Sequence, residues 1–207
     1  MKNPFLAFLP HSQRHLLMGR LATSAQPPSA VPGVEILAIH RAADPAAQSL
    51  DAFATANGFP PGWTRDMLAD GARAVVARDP ASGEFLAMGW STRQPFHVDE
   101  IAATLNPGQG VYLFGDFVAP AHRGRKLQKL LISHRLTELD DRPFACTLVE
   151  PANLPSVRSY AAEGFSIGGQ YVRHRWRSRT WARCKPVRNA PVTFELPSCD
   201  IVLARRA

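Results

Sequence analysis

Residues 111–165 decide the fold of this 207-residue chain, and they read VYLFGDFVAPAHRGRKLQKLLISHRLTELDDRPFACTLVEPANLPSVRSYAAEGF. Val111–Val118 is an apolar run, Lys129–Leu139 is amphipathic, and Phe144–Val149 is a second apolar run. This order predicts a strand, a loop, a helix, a second strand and a second helix that carries Tyr160. Two strands joined through a helix are expected to run parallel in one sheet.

The segments on either side predict further elements of an α/β domain. Asp44-Pro45 is typical of a helix start, because a carboxylate caps free amides and proline suits the first turn. Arg73–Arg78 and Glu84–Thr92 flank a turn and predict a β-hairpin. Weaker patterns predict a strand at 35–40, a helix within 60–70, a short helix after Asp99-Glu100, a strand at 170–176, irregular structure at 181–191 and weak strands at 192–196 and 201–203.

Residues 1–33 are interpreted as an arm and a proline-rich linker, and the domain is expected to occupy residues 34–207. His11–Ala25 predicts a helix with its leucines on one side. Prolines at positions 27, 28 and 32 would then end that helix. The lack of acidic residues before Glu35 is also typical of a transit peptide, but a flexible or docking arm is the favoured interpretation.

The net charge of +7 at pH 7 is unevenly distributed. Residues 171–188 hold seven basic residues and no acidic one. This local block favours an anionic ligand or surface at one place over a protein coated for nucleic acid. The arginines at 173, 175, 177 and 179 alternate, so extended backbone would project them from one face. Such a face could equally be simply solvated.

The cysteines and the hydropathy pattern argue against a disulfide-stabilised, zinc-binding or membrane-spanning protein. Three cysteines, at 146, 184 and 199, are odd in number and lack CxxC spacing. The pattern does not favour a disulfide framework or a zinc site, so we expect no metal and a reducing, cytoplasmic location. No apolar run approaches the roughly 18 residues of a membrane span.

The loop after the first strand has groups that suit a phosphate. Gly124 lies between a strand and a helix start, where backbone amides are free and the helix dipole is positive. Arg123, Arg125 and Lys126 add full positive charges. The loop is neither a Walker A loop nor the GxGxxG fingerprint. On these residues alone, a solvated basic turn remains the alternative.

The same stretch resembles the GNAT family, the GCN5-related N-acetyltransferases. That family's [Q/R]xxGx[G/A] loop follows a strand that ends near V-x-P, and here Val118-Ala119-Pro120 precedes the run from Arg123 to Gln128. Its second motif runs from Asn through Tyr to Gly-Phe, and Asn153, Tyr160 and Gly164-Phe165 match that spacing. The chain departs from the first motif at Lys126 and Gln128, where glycine or alanine is usual.

The resemblance implies a fold, a donor and the residues that bind it. The fold is α/β, a mixed and mostly antiparallel sheet of about six or seven strands, splayed at its centre and flanked by helices. The donor is acetyl-CoA or another acyl-CoA. The residues expected to bind it are Phe117, Val118, Arg123, Gly124, Arg125, Lys126, Leu127, Gln128 and Asn153. Asn153 has the alternative role of capping the second helix.

The resemblance also assigns catalytic roles. Acyl transfer to an amine needs a base for the ammonium proton and an acid for the leaving thiolate. Tyr160 matches the family's tyrosine acid, and its alternative role is to pack the helix onto the sheet. Asp116, Glu150 and Glu100 are the candidates for the base, and each could instead be a solvated or salt-bridged carboxylate.

The favoured interpretation is an N-acyltransferase that moves an acetyl group from acetyl-CoA to a primary amine in a ternary complex. A small-molecule acceptor is expected, either an amino sugar by analogy or an anionic molecule that the basic segment binds. One alternative is a longer acyl donor, including an acyl carrier protein. Others are a non-catalytic GNAT-fold binding module and nucleic-acid binding through residues 171–188, which no named motif supports. A homodimer is compatible with the sequence.

Overall fold

The computed structural model describes residues 11–21, 30–100, 103–137, 143–176, 179–186 and 200–203. Its strands are β1 (His11–Leu21), β2 (Glu35–Ile39), β3 (Arg73–Arg78), β4 (Phe85–Thr92), β5 (Phe96–Val98), β6 (Ala103–Asn106), β7 (Val111–Val118), β8 (Phe144–Val149), β9 (Ser166–Trp176), β10 (Arg179–Pro186) and β11 (Asp200–Leu203). Its helices are α1 (Pro45–Ala56), α2 (Trp63–Ala69), α3 (Leu127–Thr137) and α4 (Leu154–Ala162).

A large sheet forms the body of the described chain. Its eight strands lie in the order β10-β9-β1-β8-β7-β4-β3-β2, and every neighbouring pair is antiparallel except β7 and β8. A smaller sheet has the order β11-β6-β5. The mixed, mostly antiparallel sheet flanked by helices is therefore confirmed. It has more strands than expected, because β1 and β10 both join it.

The N-terminal strand β1 lies inside the sheet, between β8 and β9. Leu17 and Met18 are 8% and 1% exposed, and they pack into the hydrophobic clusters on opposite faces of the sheet. The helix predicted at 11–25 is therefore wrong over residues 11–21, which belong to the sheet rather than to an arm. Leucine spacing alone allowed both structures. Ladders on both edges of β1 satisfy its backbone groups and favour the strand.

Helices cover both faces of the sheet. On one face, α1 and α2 bury Leu50 and Leu68 against a cluster that includes Trp90. On the other face, α3 and α4 bury Ile132 and Tyr160 against β1, β7 and β8. The core thus lies in two layers, one on each face of the sheet.

Several elements form where local sequence patterns predict them. The Asp44 carboxylate accepts a hydrogen bond from the Ala46 amide at 2.9 Å, which confirms the cap of α1. The hairpin is confirmed as β3 and β4, with Val76 opposite Met88. None of the helices in the described part of the chain is long and apolar enough to cross a membrane.

Other elements differ from the prediction. No helix follows Asp99-Glu100 from position 103 onward, because 103–106 pair with β5 and β11 as strand β6. The irregular structure expected at 181–191 is wrong for 181–186, which extend the edge of β9 as β10. The weak strand at 201–203 is confirmed within β11. The one at 192–196 lies outside the described residues.

Candidate active site

A cleft forms where β7 and β8 part. The two strands pair in parallel only from Val111 opposite Ala145 to Leu113 opposite Thr147. β7 then continues to Val118, paired with β4 on its other side. In the described residues, its C-terminal half therefore presents an open edge, and its side chains become half-buried there. The cleft at this point has a volume of about 560 Å³, which suits a small molecule.

A β-bulge in β7 turns Asp116 toward α3 and α4. Trp90 pairs with Phe114 and Met88 with Phe117, so β7 holds one extra residue between these pairs. Gly115 takes a φ of +61°, and a Cβ there would lie 2.9 Å from the Trp90 ring. Only glycine fits this position without strain. The bulge thus sets the direction of the neighbouring carboxylate.

Asp116 is the centre of a buried polar network. Its carboxylate forms an ion pair with Arg135, whose side chain is fully buried. It also accepts hydrogen bonds from the Tyr160 hydroxyl at 2.7 Å and from Gln128 Nε2 at 3.3 Å. Arg135 Nη1 donates to the Trp90 carbonyl at 2.7 Å. Because each charge has partners, the network avoids the large penalty of an unpaired buried ion.

The charges within the network determine which of its side chains carry a proton at neutral pH. Burial and then the negative charge of Asp116 raise the pKa of Tyr160, so the phenol keeps its proton at neutral pH. Burial alone would lower the pKa of Arg135, but the charge of Asp116 and the contact with Tyr160 outweigh it and raise that pKa. The guanidinium therefore stays charged beside Asp116.

Gly89 provides the space for this network. A Cβ at Gly89 would lie 2.7 Å from Asp116 Oδ1 and 2.8 Å from Arg135 Cζ. No Cβ atom tolerates such distances, and neither buried group has room to move. A residue without a side chain on β4 is therefore required for the ion pair between β7 and α3.

The basic loop leads directly into the helix that lines the cleft. Arg123, Arg125 and Lys126 are exposed. Arg123 Nε donates to the Val118 carbonyl at 3.3 Å, and Arg125 contacts His122 at 3.3 Å. Lys126 has a φ of 60°, and within the described ranges no other residue besides glycine has a positive φ. The loop thus offers three cations beside the first-turn amides of α3.

The structure brings six of the thirteen predicted residues to the cleft. Those that line it are Glu100, Asp116, Gln128, Glu150, Asn153 and Tyr160. The Asn153 Oδ1 accepts a hydrogen bond from the Ser156 amide at 3.3 Å, so this residue caps α4. Gln128 Nε2 donates to Ser156 Oγ at 3.0 Å and links α3 to α4. Phe117, Val118 and Arg123–Leu127 do not line the cleft but follow its open strand edge, and the Leu127 side chain is buried in the core.

Sequence analysis missed two parts of the cleft. His15, on β1, lines it and is 5% exposed. An aromatic wall, which consists of Phe59, Trp63, Phe96, Tyr112 and Phe114, lines the same cleft. Ring centroids of Phe59 and Trp63 lie 4.8 Å apart, and those of Phe96 and Phe114 lie 4.2 Å apart. The alternation of Tyr112 and Phe114 placed them on one face, but no local pattern linked them to His15.

The open edge of β7 and the basic loop could hold a ligand with an extended amide arm and phosphates, because the edge offers backbone amides and carbonyls and the loop offers positive charge. Over the described residues, no group of three or more His, Cys, Asp or Glu side chains is placed to hold a metal ion.

No family model and no curated protein matches the chain. Solved structures do match. The chain is similar to a GCN5-related N-acetyltransferase from Sphaerobacter thermophilus, with 16% identity and a TM-score of 0.54 over 84% of this chain and 52% of that one. It is similar to a GNAT-family acetyltransferase from Colwellia psychrerythraea, with 16% identity and a TM-score of 0.56 over 82% and 57%.

A third similar structure is described as a GNAT-family acetyltransferase from Novosphingobium aromaticivorans, with 19% identity and a TM-score of 0.54 over 78% of this chain and 63% of that one. The chain thus spans between about half and two-thirds of the length of these proteins. At such identities the likeness concerns the fold alone. The chain therefore has the fold of the GCN5-related N-acetyltransferases.

Proposed function

We propose that the protein is an acyl-CoA-dependent N-acyltransferase that transfers an acetyl group to a primary amine. The observation that carries this proposal is the parting of β7 and β8 beside a basic loop at the start of α3. An open strand edge supplies amides and carbonyls for an extended donor, and the loop supplies amides and positive charge for phosphates.

The donor-binding residues follow from this arrangement. The backbone of Phe117 and Val118 would hold the arm, and residues 123–128 would hold the phosphates. When bound, acyl-CoA supplies an acyl group activated as a thioester. The side chains of Arg123 and Arg125 are exposed, and an anion would replace the single long contact of 3.3 Å that each of them makes. Lys126 adds a third charge at the same helix terminus.

The contacts of the cleft residues support a division of the proposed acid and base roles. Tyr160 keeps its proton and lines the cleft, so it is the proposed donor to the leaving sulfur. Asp116 already accepts from Arg135, Tyr160 and Gln128, which leaves its carboxylate occupied. We therefore assign Asp116 to positioning Tyr160 rather than to proton removal. Glu100 and Glu150 line the cleft and are exposed, and they remain carboxylate candidates for the base.

The cleft lining favours a cationic acceptor with an apolar group. Aromatic faces attract ammonium ions, and the carboxylates of Asp99, Glu100 and Glu150 would repel an anion. Arg173 Nη1 donates to the carbonyls of Asp99 and Glu100, at 3.4 and 3.0 Å. Its guanidinium thus holds the connection after β5. We propose an arylalkyl or aliphatic amine as the acceptor, in preference to an amino sugar or an anionic molecule.

Calorimetric titration with acetyl-CoA tests the proposal. We expect micromolar binding that weakens about tenfold or more in an Arg123→Ala/Arg125→Ala variant, because two charges that face phosphates are lost. Arg41→Ala, which removes an exposed arginine from the turn between β2 and α1, is the matched control and should bind as the unaltered protein does. Release of free CoA thiol on addition of phenethylamine, glucosamine or spermidine then reports the acceptor class.

A failure to bind the donor would contradict the proposal. No heat with acetyl-CoA, longer acyl-CoAs or free CoA would overturn acyl-CoA as the donor. The longer-donor alternative would then require activity with an acyl carrier protein. A non-catalytic module would show activity with neither donor.

A further inference from the structure

We propose that His15, on the N-terminal strand β1, accepts the proton of the amine. The inference rests on the proposed acyl transfer and deepens it, because it assigns the base to a segment outside the two motifs. Its basis is geometric: His15 lines the cleft where β7 and β8 part, together with Glu150 and the aromatic wall.

Strand pairing places His15 at the cleft. β1 pairs with β8 as far as Leu16 opposite Val149, so His15 lies one residue beyond the end of this ladder, and Glu150 is the residue that follows Val149. On its other edge, His15 pairs with Tyr171 of β9. The imidazole is 5% exposed, and its Nδ1 is buried without a hydrogen-bond partner. Because buried polar atoms seldom lack a partner, the unpartnered Nδ1 calls for an explanation, and a proton-accepting role supplies one.

The surroundings keep the imidazole neutral. Burial lowers the pKa of His15, while the charges of Glu150 and Glu100 act in the opposite direction, and burial prevails. The other charged groups at this side of the cleft are Asp99, which contacts His97 at 3.4 Å, and Arg173, which is held by backbone carbonyls. A neutral imidazole has the free electron pair that a base needs at neutral pH.

The same carboxylates would stabilise the product of proton removal. Once His15 is an imidazolium, Glu150 and Glu100 supply compensating negative charge, as a carboxylate does for the histidine of a catalytic triad. Glu100 and Glu150 are exposed to solvent, whereas His15 is buried in the cleft and its Nδ1 lacks a hydrogen-bond partner. This comparison favours His15 over Glu100 and Glu150 as the base.

The reaction then balances in protons and electrons. His15 takes one proton from the ammonium and passes it to solvent. The freed electron pair on nitrogen forms the bond to the acyl carbon, and the carbon–sulfur bond breaks with its electron pair on sulfur. A second proton leaves the nitrogen as the amide forms, and it balances the proton that Tyr160 gives to sulfur. The products are an amide, a free thiol and one released proton.

His15→Gln and His134→Gln form a matched pair for the test. His134, on α3, is half-buried, has a pKa that burial also lowers, and does not line the cleft. With acetyl-CoA and phenethylamine, we expect His15→Gln to lower kcat about a hundredfold and to remove the fall in rate at acidic pH. The acetyl-CoA dissociation constant should not change. His134→Gln should leave both the rate and the pH profile unaltered.

The Glu150→Gln variant tests whether Glu150 assists His15 or is itself the base. If Glu150 acts only through His15, its loss removes a charge that raises the pKa of His15, so the acidic limb moves to lower pH and turnover falls less than in His15→Gln. Collapse of turnover in Glu150→Gln, with His15→Gln still active, would overturn the proposal. Glu150→Gln also keeps the proposal testable should His15→Gln fail to fold.

The pKa of His15 can also be measured without enzymatic turnover. NMR titration of the imidazole resonances, assigned by the signal that disappears in His15→Gln, should give His15 a pKa below 6.5. A pKa at or above 6.5 would overturn the inference whatever the activity. If the unaltered protein does not bind acetyl-CoA, the result contradicts the proposed function instead. The two failures are thereby distinguished.

Discussion

Lys126 holds a backbone conformation that suits glycine better than lysine. Its φ of 60° lies in the left-handed region, where a β-carbon costs about 1–2 kcal/mol. The resemblance noted above places glycine at this position. The chain thus adopts the backbone that glycine favours while it carries a side chain with a positive charge beside the first turn of α3.

Lys126→Gly should therefore stabilise the protein by about 1 kcal/mol, because glycine reaches this conformation without strain. Urea unfolding would measure the change in the free energy of unfolding. Ala52→Gly is the control: it places glycine at an exposed position within α1, where it should destabilise by about 1 kcal/mol. Equal destabilisation by both substitutions would show that Lys126 is not strained.

At the residue scale, sequence could identify single groups but not their partners. Asp116 and Tyr160 were both recognised as site candidates, yet nothing in the sequence joined them or added Arg135. An arginine within an amphipathic helix is usually exposed, and only the fold shows that this one is buried. His15 was missed for the same reason, because distant strands assemble its surroundings.

Strand β1 supports the sheet from within, and its inward side chains carry that role. Met18→Ala should destabilise the protein by about 2–4 kcal/mol, because Met18 is 1% exposed and packs with β7, β8 and α4. Leu21→Ala, on the same strand, removes a side chain that is 53% exposed and should change stability by less than about 0.5 kcal/mol. Chemical denaturation of both variants checks the pair, and similar losses would contradict the burial of Met18.

At the element scale, the sequence predicted an element correctly where the interaction that determines its structure lies between neighbouring residues. Asp44 caps its own helix, and the turn between β3 and β4 joins adjacent strands, so nearby residues sufficed. β1 and β10 instead gain their hydrogen bonds from strands far away in sequence or at an edge. Their own residues allowed a helix or irregular structure, and pairing decided between the alternatives.

Across the whole molecule, buried titratable groups should limit stability at both ends of the pH range. The pKa values of His15 and His134 are lowered from 6.5, so below pH 6.5 the unfolded chain binds protons that the folded chain does not. Stability should fall as pH decreases from 6.5. The pKa of Tyr160 is raised from 10.0, so stability should also fall as pH rises above 10. Each group contributes at most about 1.4 kcal/mol per pH unit.

Thermal unfolding from pH 5 to 11 measures this profile. We expect a plateau between the two limits, a shallower acidic fall in His134→Gln and a shallower alkaline fall in Tyr160→Phe. The His134 variant lies outside the cleft and so tests the acidic limb without altering the candidate site. Stability that stays constant or rises as the pH falls from 6.5 to 5 would contradict the neutral, buried state of these histidines.

The position of β1 also has a consequence for the order of folding. Leu21 pairs with Phe144 and His11 with Arg175, so the first strand of the chain finds its neighbours only after nearly all of the described domain has been synthesised. Contacts of such long range slow folding and leave apolar strand edges unprotected in the meantime. A ribosome-bound chain would expose Leu17 and Met18 until β8 and β9 emerge. Completion of the sheet, and of the cleft beside it, is therefore a late event in folding.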